Sequence, residues 1–123
     1  RNAYLTAFHE AGVSILLGSD APQVGNVPGF SLHHEMIAMV DAGLSPLYVI
    51  RSGTLNIANF FTATDRGTIK EGQIADLVLL SENPLTEIKN IRTIEGVVYR
   101  GNWLSRQHID TKLSQLEAKY RSE

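Results

Sequence analysis

An apolar run that ends on an acid is the feature of this sequence best suited to chemistry. Residues 16–22 have the sequence LLGSDAP, so Asp20 follows two leucines, a glycine and a serine. An aspartate just past the end of a strand can bind a divalent metal and accept a proton from water. The same residue type also ends strands by capping a turn. Local sequence alone leaves both roles open for Asp20.

Two histidines and an acid lie next to one another further along the chain, at His33, His34 and Glu35. Adjacent helical residues point about 100° apart, so His33 and His34 do not easily face one metal. The pattern differs from His-Glu-x-x-His, whose ligands at i and i+4 share a face. A solvent-facing helix start is favoured, which still leaves one histidine able to line a pocket above Asp20.

The remaining polar residues carry weaker patterns. No Gly-Lys-Ser/Thr sequence follows the glycines of residues 18–29, which argues against a phosphate-binding loop. Asp76 stands just before an apolar strand, where a turn or edge role is favoured. No serine or threonine lies in the context of a nucleophile elbow. Asp20 is therefore the main candidate for chemistry.

The segment that would position Asp20 is expected to be a strand. Helical spacing over residues 3–11 stops at Gly12, and residues 12–18 (GVSILLG) are typical of a buried parallel strand. Residues 21–30 must form a loop, because they hold two prolines and two glycines. A lone strand leaves main-chain groups unpaired, so we expect its neighbours on chain outside this sequence.

Two helices are expected after the loop. Ser31 is expected to cap the first and Gly43 to end it. Ser45 and Pro46 are typical of the cap and first position of the second. Helical spacing predicts two inner faces, formed by Leu32, Met36, Met39 and Val40 in the first helix and by Leu47, Ile50, Ile57, Ala58 and Phe61 in the second.

The hydrophobic period changes at Gly67. GTIKEGQIADLVLL (residues 67–80) predicts two strands joined by a turn, and IRTIEGVVYRGNWLS (residues 91–105) predicts a second pair that turns near residues 100–102. From residue 106 the spacing is helical, with one face formed by Ile109, Leu113, Leu116 and Tyr120. The expected regions are therefore 1–66, 67–105 and 106–123.

Composition restricts the class of protein. A chain of 123 residues suffices for one modest domain, and a net charge of -2 without a basic block gives nucleic-acid binding no electrostatic support. No apolar run reaches the length of a membrane span. The absence of cysteine excludes disulfides and thiolate metal sites. A cytoplasmic location is favoured, although a signal peptide upstream of Arg1 would not be visible in this sequence.

Five motifs follow one another between Ala3 and Leu104. They are strand-Gly-Ser-Asp, Ala-Gly-Leu-Ser-Pro, Gly-Thr-Ile-x-x-Gly-x-x-Ala-Asp-Leu-Val, Asn-Pro-Leu and Val-x-x-x-Gly. Each is weak alone, but their order and spacing are specific. Together they resemble the C-terminal part of metal-dependent amidohydrolases, in the imidazolonepropionase and prolidase-like branch. The resemblance implies an α/β parent, a (β/α)8 TIM barrel with a small β-sandwich. This chain is then a mixed α+β fragment with the last barrel strand, its flanking helices and sandwich strands.

The same resemblance implies roles for residues near the end of that strand. Asp20 matches the strand-eight aspartate of the family, which binds metal and takes the proton from the attacking water. The loop that follows would border the substrate pocket. Candidate substrate-binding residues lie beside Asp20 or at the start of the next helix: Ser19, Pro22, Gln23 and His33. Residues 67–104 would be the returning half of the sandwich, which leaves Asp76 with a structural role.

The family's metal site also implies what this chain lacks. One or two divalent metals, expected to be zinc, would need a His-x-His pair, a bridging Lys or Glu and further histidines on earlier strands, and this sequence holds none of these. A catalytic zinc site keeps three protein ligands. We therefore expect the chain alone to bind no stoichiometric metal and to be inactive.

The favoured hypothesis is a fragment of a hydrolase that cleaves an amide-type C–N bond in a cyclic amide or an acylated or peptide-like small molecule. Asp20 would serve as metal ligand and general base. Partners would include no nucleic acid and no membrane, and the unpaired strand should drive self-association into a homo-oligomer. One alternative is a self-contained non-catalytic α+β interaction domain, which requires residues 13–17 to pair within the chain. Another is an enzyme that uses Asp20 with His33 or His34 as an acid–base pair.

Overall fold

The computed structural model of this protein describes residues 3–121 as five α-helices, a 3₁₀ helix and a three-stranded antiparallel sheet. In chain order the elements are α1 (Ala3–Glu10), α2 (Phe30–Asp41), α3 (Pro46–Ser52), α4 (Leu55–Phe60), β1 (Leu77–Leu80), the 3₁₀ helix (Ile88–Arg92), β2 (Ile94–Tyr99), β3 (Asn102–Ser105) and α5 (Arg106–Arg121). The mixed α+β prediction is confirmed. The ends of the expected first and last regions, residues 1–2 and 122–123, lie outside the described residues.

The segment expected to be a buried parallel strand forms no strand. Residues 13–20 pair with none of the strands in the described part of the chain. A strand needs a ladder partner, and the sheet strands pair only with one another there. Ile15 and Leu17 pack against the core, whereas Val13 and Leu16 are 50% and 37% exposed. The prediction of a buried strand is therefore wrong for this chain, and the segment packs on the helices by one side.

The core lies where α2, α3 and the 3₁₀ helix meet. Five buried apolar side chains form it: Met39, Leu44, Val49, Ile88 and Ile91. Burial of each such side chain contributes about 1.5–3 kcal/mol to stability. The predicted inner face of the first helix holds for Met36, Met39 and Val40. The prediction is wrong for Leu32, which lies in the first turn of α2 and is 36% exposed.

The two predicted helix caps have different outcomes. Ser45 caps α3, since its side chain accepts the N–H of Tyr48 at 3.2 Å, and Pro46 occupies the first turn, as expected. Ser31 does not cap α2, because the helix already begins at Phe30 after a glycine with φ 82°. The Ser31 hydroxyl instead donates to the carbonyl of Val27 at 2.9 Å.

The second expected helix is broken into α3 and α4. The chain turns at Gly53 and Thr54, and Leu17 packs where a side chain on residue 53 would lie, with its Cδ2 2.7 Å from that position. A side chain on residue 53 would therefore require the end of the Leu17 side chain to shift. Within the predicted apolar face, Ala58 is buried, whereas Leu47 and Phe61 are 52% and 68% exposed, so the prediction is wrong for these two residues.

The sheet begins later than the sequence predicts. Residues 67–70 form no strand, and Ile69 is 88% exposed, because no neighbouring strand lies beside them in the described part of the chain. β1 pairs with β2 and β2 with β3, both antiparallel. The predicted turn is confirmed, since Arg100 and Gly101 have φ 47° and 80° between Tyr99 and its partner Asn102.

The final helix is confirmed, but its apolar face is not covered. α5 follows β3 directly and contacts β2 and β3. Leu113, Leu116 and Tyr120 are 41%, 53% and 63% exposed. Among residues 3–121, no helix has the length and apolar character required to cross a membrane.

Candidate active site

Side chains of α3 and α4 hold the segment that leads to Asp20. The hydroxyl of Tyr48 accepts the N–H of Ile15 at 3.3 Å and donates to the carbonyl of Val13 at 3.4 Å. Asn56 donates its side-chain N–H to the carbonyl of Ile15 at 3.1 Å. These two helical side chains fix the main chain that a neighbouring strand would fix in a sheet.

Further contacts hold the part of this segment that lies nearest to Asp20. The N–H of Leu17 donates to the carbonyl of Ser52 at 3.1 Å. The Tyr48 ring packs against His9 on α1, with ring centroids 4.1 Å apart. Residues 13–17 are therefore tied to α1, α3 and α4 together, and Asp20 follows three residues beyond this tie.

Asp20 has the turn role, one of the two that the sequence left open. Its φ of 53° lies in the left-handed region, which aspartate tolerates better than most residues, so it does turn the chain. The residue is also exposed. The side-chain amide of Gln23 donates to Oδ2 of Asp20. The structure therefore brings together the predicted acid and one predicted substrate-binding residue.

The loop after Asp20 closes on itself. Asn26 donates its N–H to the carbonyl of Gln23 at 2.9 Å and its side-chain amide to the carbonyl of Ser19 at 3.1 Å. Gly25 supplies the positive φ, 84°, between them. Pro22 lies in this loop after a cis peptide bond and is exposed. Asn26 was missed by the sequence analysis, although asparagine beside glycine in a loop is the signal for such a turn.

His33 belongs to a different environment. It lies in the first turn of α2 and is half-buried. Burial, the charge of Arg92 on the 3₁₀ helix and then His34 lower the pKa of His33 below its ordinary value. Asp20 is not among the groups that shift this pKa. No hydrogen bond or ion pair within residues 3–121 joins Asp20 to His33 or His34, so the structure does not support an acid–base pair of Asp20 with either histidine.

The described residues do not form a metal centre by themselves. No group of three or more His, Cys, Asp or Glu side chains within residues 3–121 is placed to hold a metal ion. A carboxylate oxygen suits one position of a zinc site, but three protein ligands are needed there. Asp20 fits as one ligand, and this part of the chain supplies no complete set around it.

Two surface clefts in the described part of the chain lie away from Asp20. One runs along the polar side of α5 and includes Arg106 and Asp110. The other lies at the end of α4, between Phe61 and Arg66. Neither is lined by a predicted site residue. The exposed loop around Asp20 is thus an open surface that presents a carboxylate.

The sequence model of the amidohydrolase family matches residues 1–104. This chain therefore belongs to the amidohydrolase family.

Three similar proteins illustrate the match. Ochratoxinase of Aspergillus niger is 33% identical over 93 residues, which cover 73% of this chain and 18% of that protein. The structure of a Xaa-Pro dipeptidase with bound methionine has a TM-score of 0.74 at 27% identity, covering 85% of this chain and 25% of the other. Phenylurea hydrolase B has a TM-score of 0.73 at 30% identity, with coverage of 85% and 27%. The chain thus spans about a quarter or less of the length of these relatives.

Proposed function

We propose that this chain provides the reacting carboxylate, Asp20, of a hydrolase that cleaves amide-type C–N bonds. The observation that carries the proposal is the placement of Asp20. The residue is exposed at a left-handed turn, directly after a segment that α3 and α4 hold by hydrogen bonds. A carboxylate held in this way keeps its direction without being buried, as a general base requires.

The chemistry at Asp20 follows from its two oxygens. Oδ2 accepts the Gln23 amide, which orients the carboxylate. Oδ1 is then directed to accept a proton from the attacking water and to return it to the leaving nitrogen. A bound zinc ion would polarise the substrate carbonyl and lower the pKa of water. Asp20 would be one of its ligands, and the others would come from outside residues 3–121.

The anchored segment has a proposed place in the larger protein. The main-chain groups of Val13, Ile15 and Leu17 form hydrogen bonds with residues of the helices. Within the described residues, the main-chain N–H and carbonyl groups of Ser14 and Leu16 make no hydrogen bond. Because alternate residues of an extended chain face opposite edges, these groups are available to a neighbouring strand. We propose residues 13–17 as the last strand of a (β/α)8 barrel in the parent protein, where a second neighbouring strand would replace the hydrogen bonds to the helices.

The substrate class is argued from the relatives and the loop. The names of two relatives state that they act on a Xaa-Pro dipeptide and on phenylureas, both of which contain a C–N bond to a carbonyl carbon. The loop beside Asp20 offers an amide at Gln23 and an apolar ring at Pro22. A small cyclic amide, acylated amine or peptide-like molecule fits this combination. Ser19 and His33 remain predicted substrate-binding residues.

The interaction-domain alternative is not favoured. It requires residues 13–17 to pair within the chain, and they form no strand in the described part. Large apolar side chains on this segment and its loop also remain exposed, including Val13, Val27 and Phe30. Such exposure indicates a surface that other polypeptide covers.

The experiment uses the whole protein that contains this chain. A panel of N-acyl amino acids, Xaa-Pro dipeptides and cyclic amides is assayed for amine release, with matched esters for comparison. We expect release from at least one C–N substrate, loss of release with a chelator and recovery on addition of zinc. Cleavage of esters alone, or release that no chelator affects, would contradict the proposal. The 123-residue chain by itself is the control and is expected to release no amine.

A further inference from the structure

Helix α5 carries an apolar stripe that its own chain leaves uncovered. The stripe is defined by four residues whose spacing is four, three and four: Ile109, Leu113, Leu116 and Tyr120. The last three are 41%, 53% and 63% exposed. The match to the family model ends at residue 104, just before this helix begins.

The stripe has the spacing of a coiled-coil seam. Alternate steps of four and three residues place Ile109 and Leu116 at d positions and Leu113 and Tyr120 at a positions. This pattern keeps the same face toward a partner helix over three turns of α5. In the described part of the chain, three residues of this face remain exposed.

Charges of opposite sign flank the stripe. Lys112 and Lys119 occupy the g positions, and Asp110 and Glu117 the e positions. Asp110 and Glu117 also pair within the helix, with Arg106 and Arg121. Both ion pairs are exposed, so they are weak and leave the carboxylates available to a second partner.

We propose that α5 forms a parallel, two-stranded pair with α5 of a second copy of this chain. In a parallel pair, a g residue of one helix faces the e residue five positions later in the other. Lys112 of each copy then lies opposite Glu117 of the other copy, which gives two such ion pairs in the dimer. An antiparallel pair would instead place Lys112 near Lys119 and Asp110 near Glu117, where like charges repel. The charge pattern therefore selects both the partner, a second copy, and the direction.

The size of the stripe sets the strength of the pair. Four apolar layers bury far less than the roughly 800 Å² per partner of a standard interface. The pair is therefore a reversible dimer, with a dissociation constant on the order of 0.1 mM. The parallel arrangement also places the two sheets at the same end of the dimer.

A charge exchange tests partner and direction together. The full chain is examined by sedimentation equilibrium from about 10 µM to 1 mM, which brackets the expected dissociation constant. Lys112→Glu alone is expected to weaken the dimer about three- to tenfold, because two attractive pairs become repulsive. Lys112→Glu combined with Glu117→Lys is expected to restore it. Leu116→Gln is expected to abolish it, and Gln115→Lys, outside the seam, to leave it unchanged.

A cysteine pair tests direction separately. The chain contains no cysteine, so Tyr120→Cys introduces one thiol per copy. In a parallel pair the two thiols face each other, and oxidised glutathione is expected to give a disulfide-linked dimer. In an antiparallel pair each thiol lies opposite residue 109, about 16 Å from the other thiol. Ser114→Cys, on the outer face, is the control and is expected to cross-link poorly.

Each outcome bears on the proposal. Restoration by the double charge variant and cross-linking at position 120 support it. A monomer throughout the concentration range overturns it, as does self-association that Leu116→Gln leaves unchanged. Equal cross-linking at positions 114 and 120 also overturns it. Circular dichroism checks that each variant keeps α5, so loss of association is assigned to the seam.

Discussion

Asp20 shows why a single residue type leaves chemistry undecided. The sequence offered a turn or a reacting carboxylate, and the structure contains the turn, with φ 53°, and an exposed carboxylate at the same residue. Its contact with Gln23 depends on the loop closing through Asn26. No residue spacing in LLGSDAP predicts that closure. The motifs downstream, rather than the acid itself, are what indicated a role in hydrolysis.

At the scale of single residues, His33 is expected to make the free energy of unfolding depend on pH. Its pKa is lowered in the folded chain, by burial first and then by Arg92, so the unfolded chain binds this proton at higher pH. The free energy of unfolding is therefore expected to fall as the pH decreases from the ordinary value of 6.5 through the lowered pKa. His33→Gln is expected to reduce that fall. Urea unfolding at several pH values measures it.

The control for this prediction is His108→Gln, which removes an exposed histidine from α5. It is expected to leave the pH dependence of unfolding as it is in the unaltered chain. If His33→Gln and His108→Gln have the same pH dependence as the unaltered chain, burial of His33 near Arg92 does not influence stability.

At the scale of elements, local signals predicted well and non-local ones did not. The Ser45-Pro46 helix start, the turn at Arg100-Gly101 and α5 depend on residues close in sequence, and all three are confirmed. Residues 13–17 and 67–70 have strand composition but form no strand. A strand requires a partner at its edge, and composition does not state whether that partner is present.

The anchoring of residues 13–17 gives a second prediction. Tyr48→Phe keeps the ring but removes the hydroxyl that bonds to Val13 and Ile15. A loss of about 1 kcal/mol in the free energy of unfolding is expected, because the part-buried N–H of Ile15 loses its partner. Denaturant titration measures this loss. Tyr99→Phe, whose ring is exposed at the end of β2, is the matched control and is expected to change stability little.

The junction between α4 and the sheet gives a third prediction. Gly67 has φ 92°, and a Cβ there would lie 2.5 Å from Cβ of Ala58. Gly67→Ala is expected to cost about 2–4 kcal/mol, since left-handed strain and crowding add. Gly72 has φ 86° but open space around it. Gly72→Ala is thus expected to cost about 1 kcal/mol, the conformational part alone. Equal losses in thermal unfolding would show that Ala58 does not restrict Gly67.

At the scale of the whole molecule, the described residues lack a set of metal ligands around Asp20 and leave many apolar side chains exposed. Asp20 is exposed, and residues 3–121 hold no cluster of metal ligands. Apolar side chains near the site, including Val13, Leu16 and Phe30, are also exposed. Family membership and these exposed surfaces together support the proposal that Asp20 acts within a larger hydrolase. Self-association through the segment at residues 13–17 remains a prediction, separate from the pairing of α5.

The central claim is that Asp20 is the reacting carboxylate, and Asp20→Asn in the whole protein tests it most directly. Asp76→Asn is the matched control, because Asp76 accepts the N–H of Arg100 at 2.7 Å at the edge of the sheet and is predicted to have a structural role. Turnover of the C–N substrate is measured for both variants at equal folded fraction. The account predicts a fall in kcat of about 10²–10⁴-fold for Asp20→Asn and near-normal kcat for Asp76→Asn. Near-normal turnover of folded Asp20→Asn would contradict it.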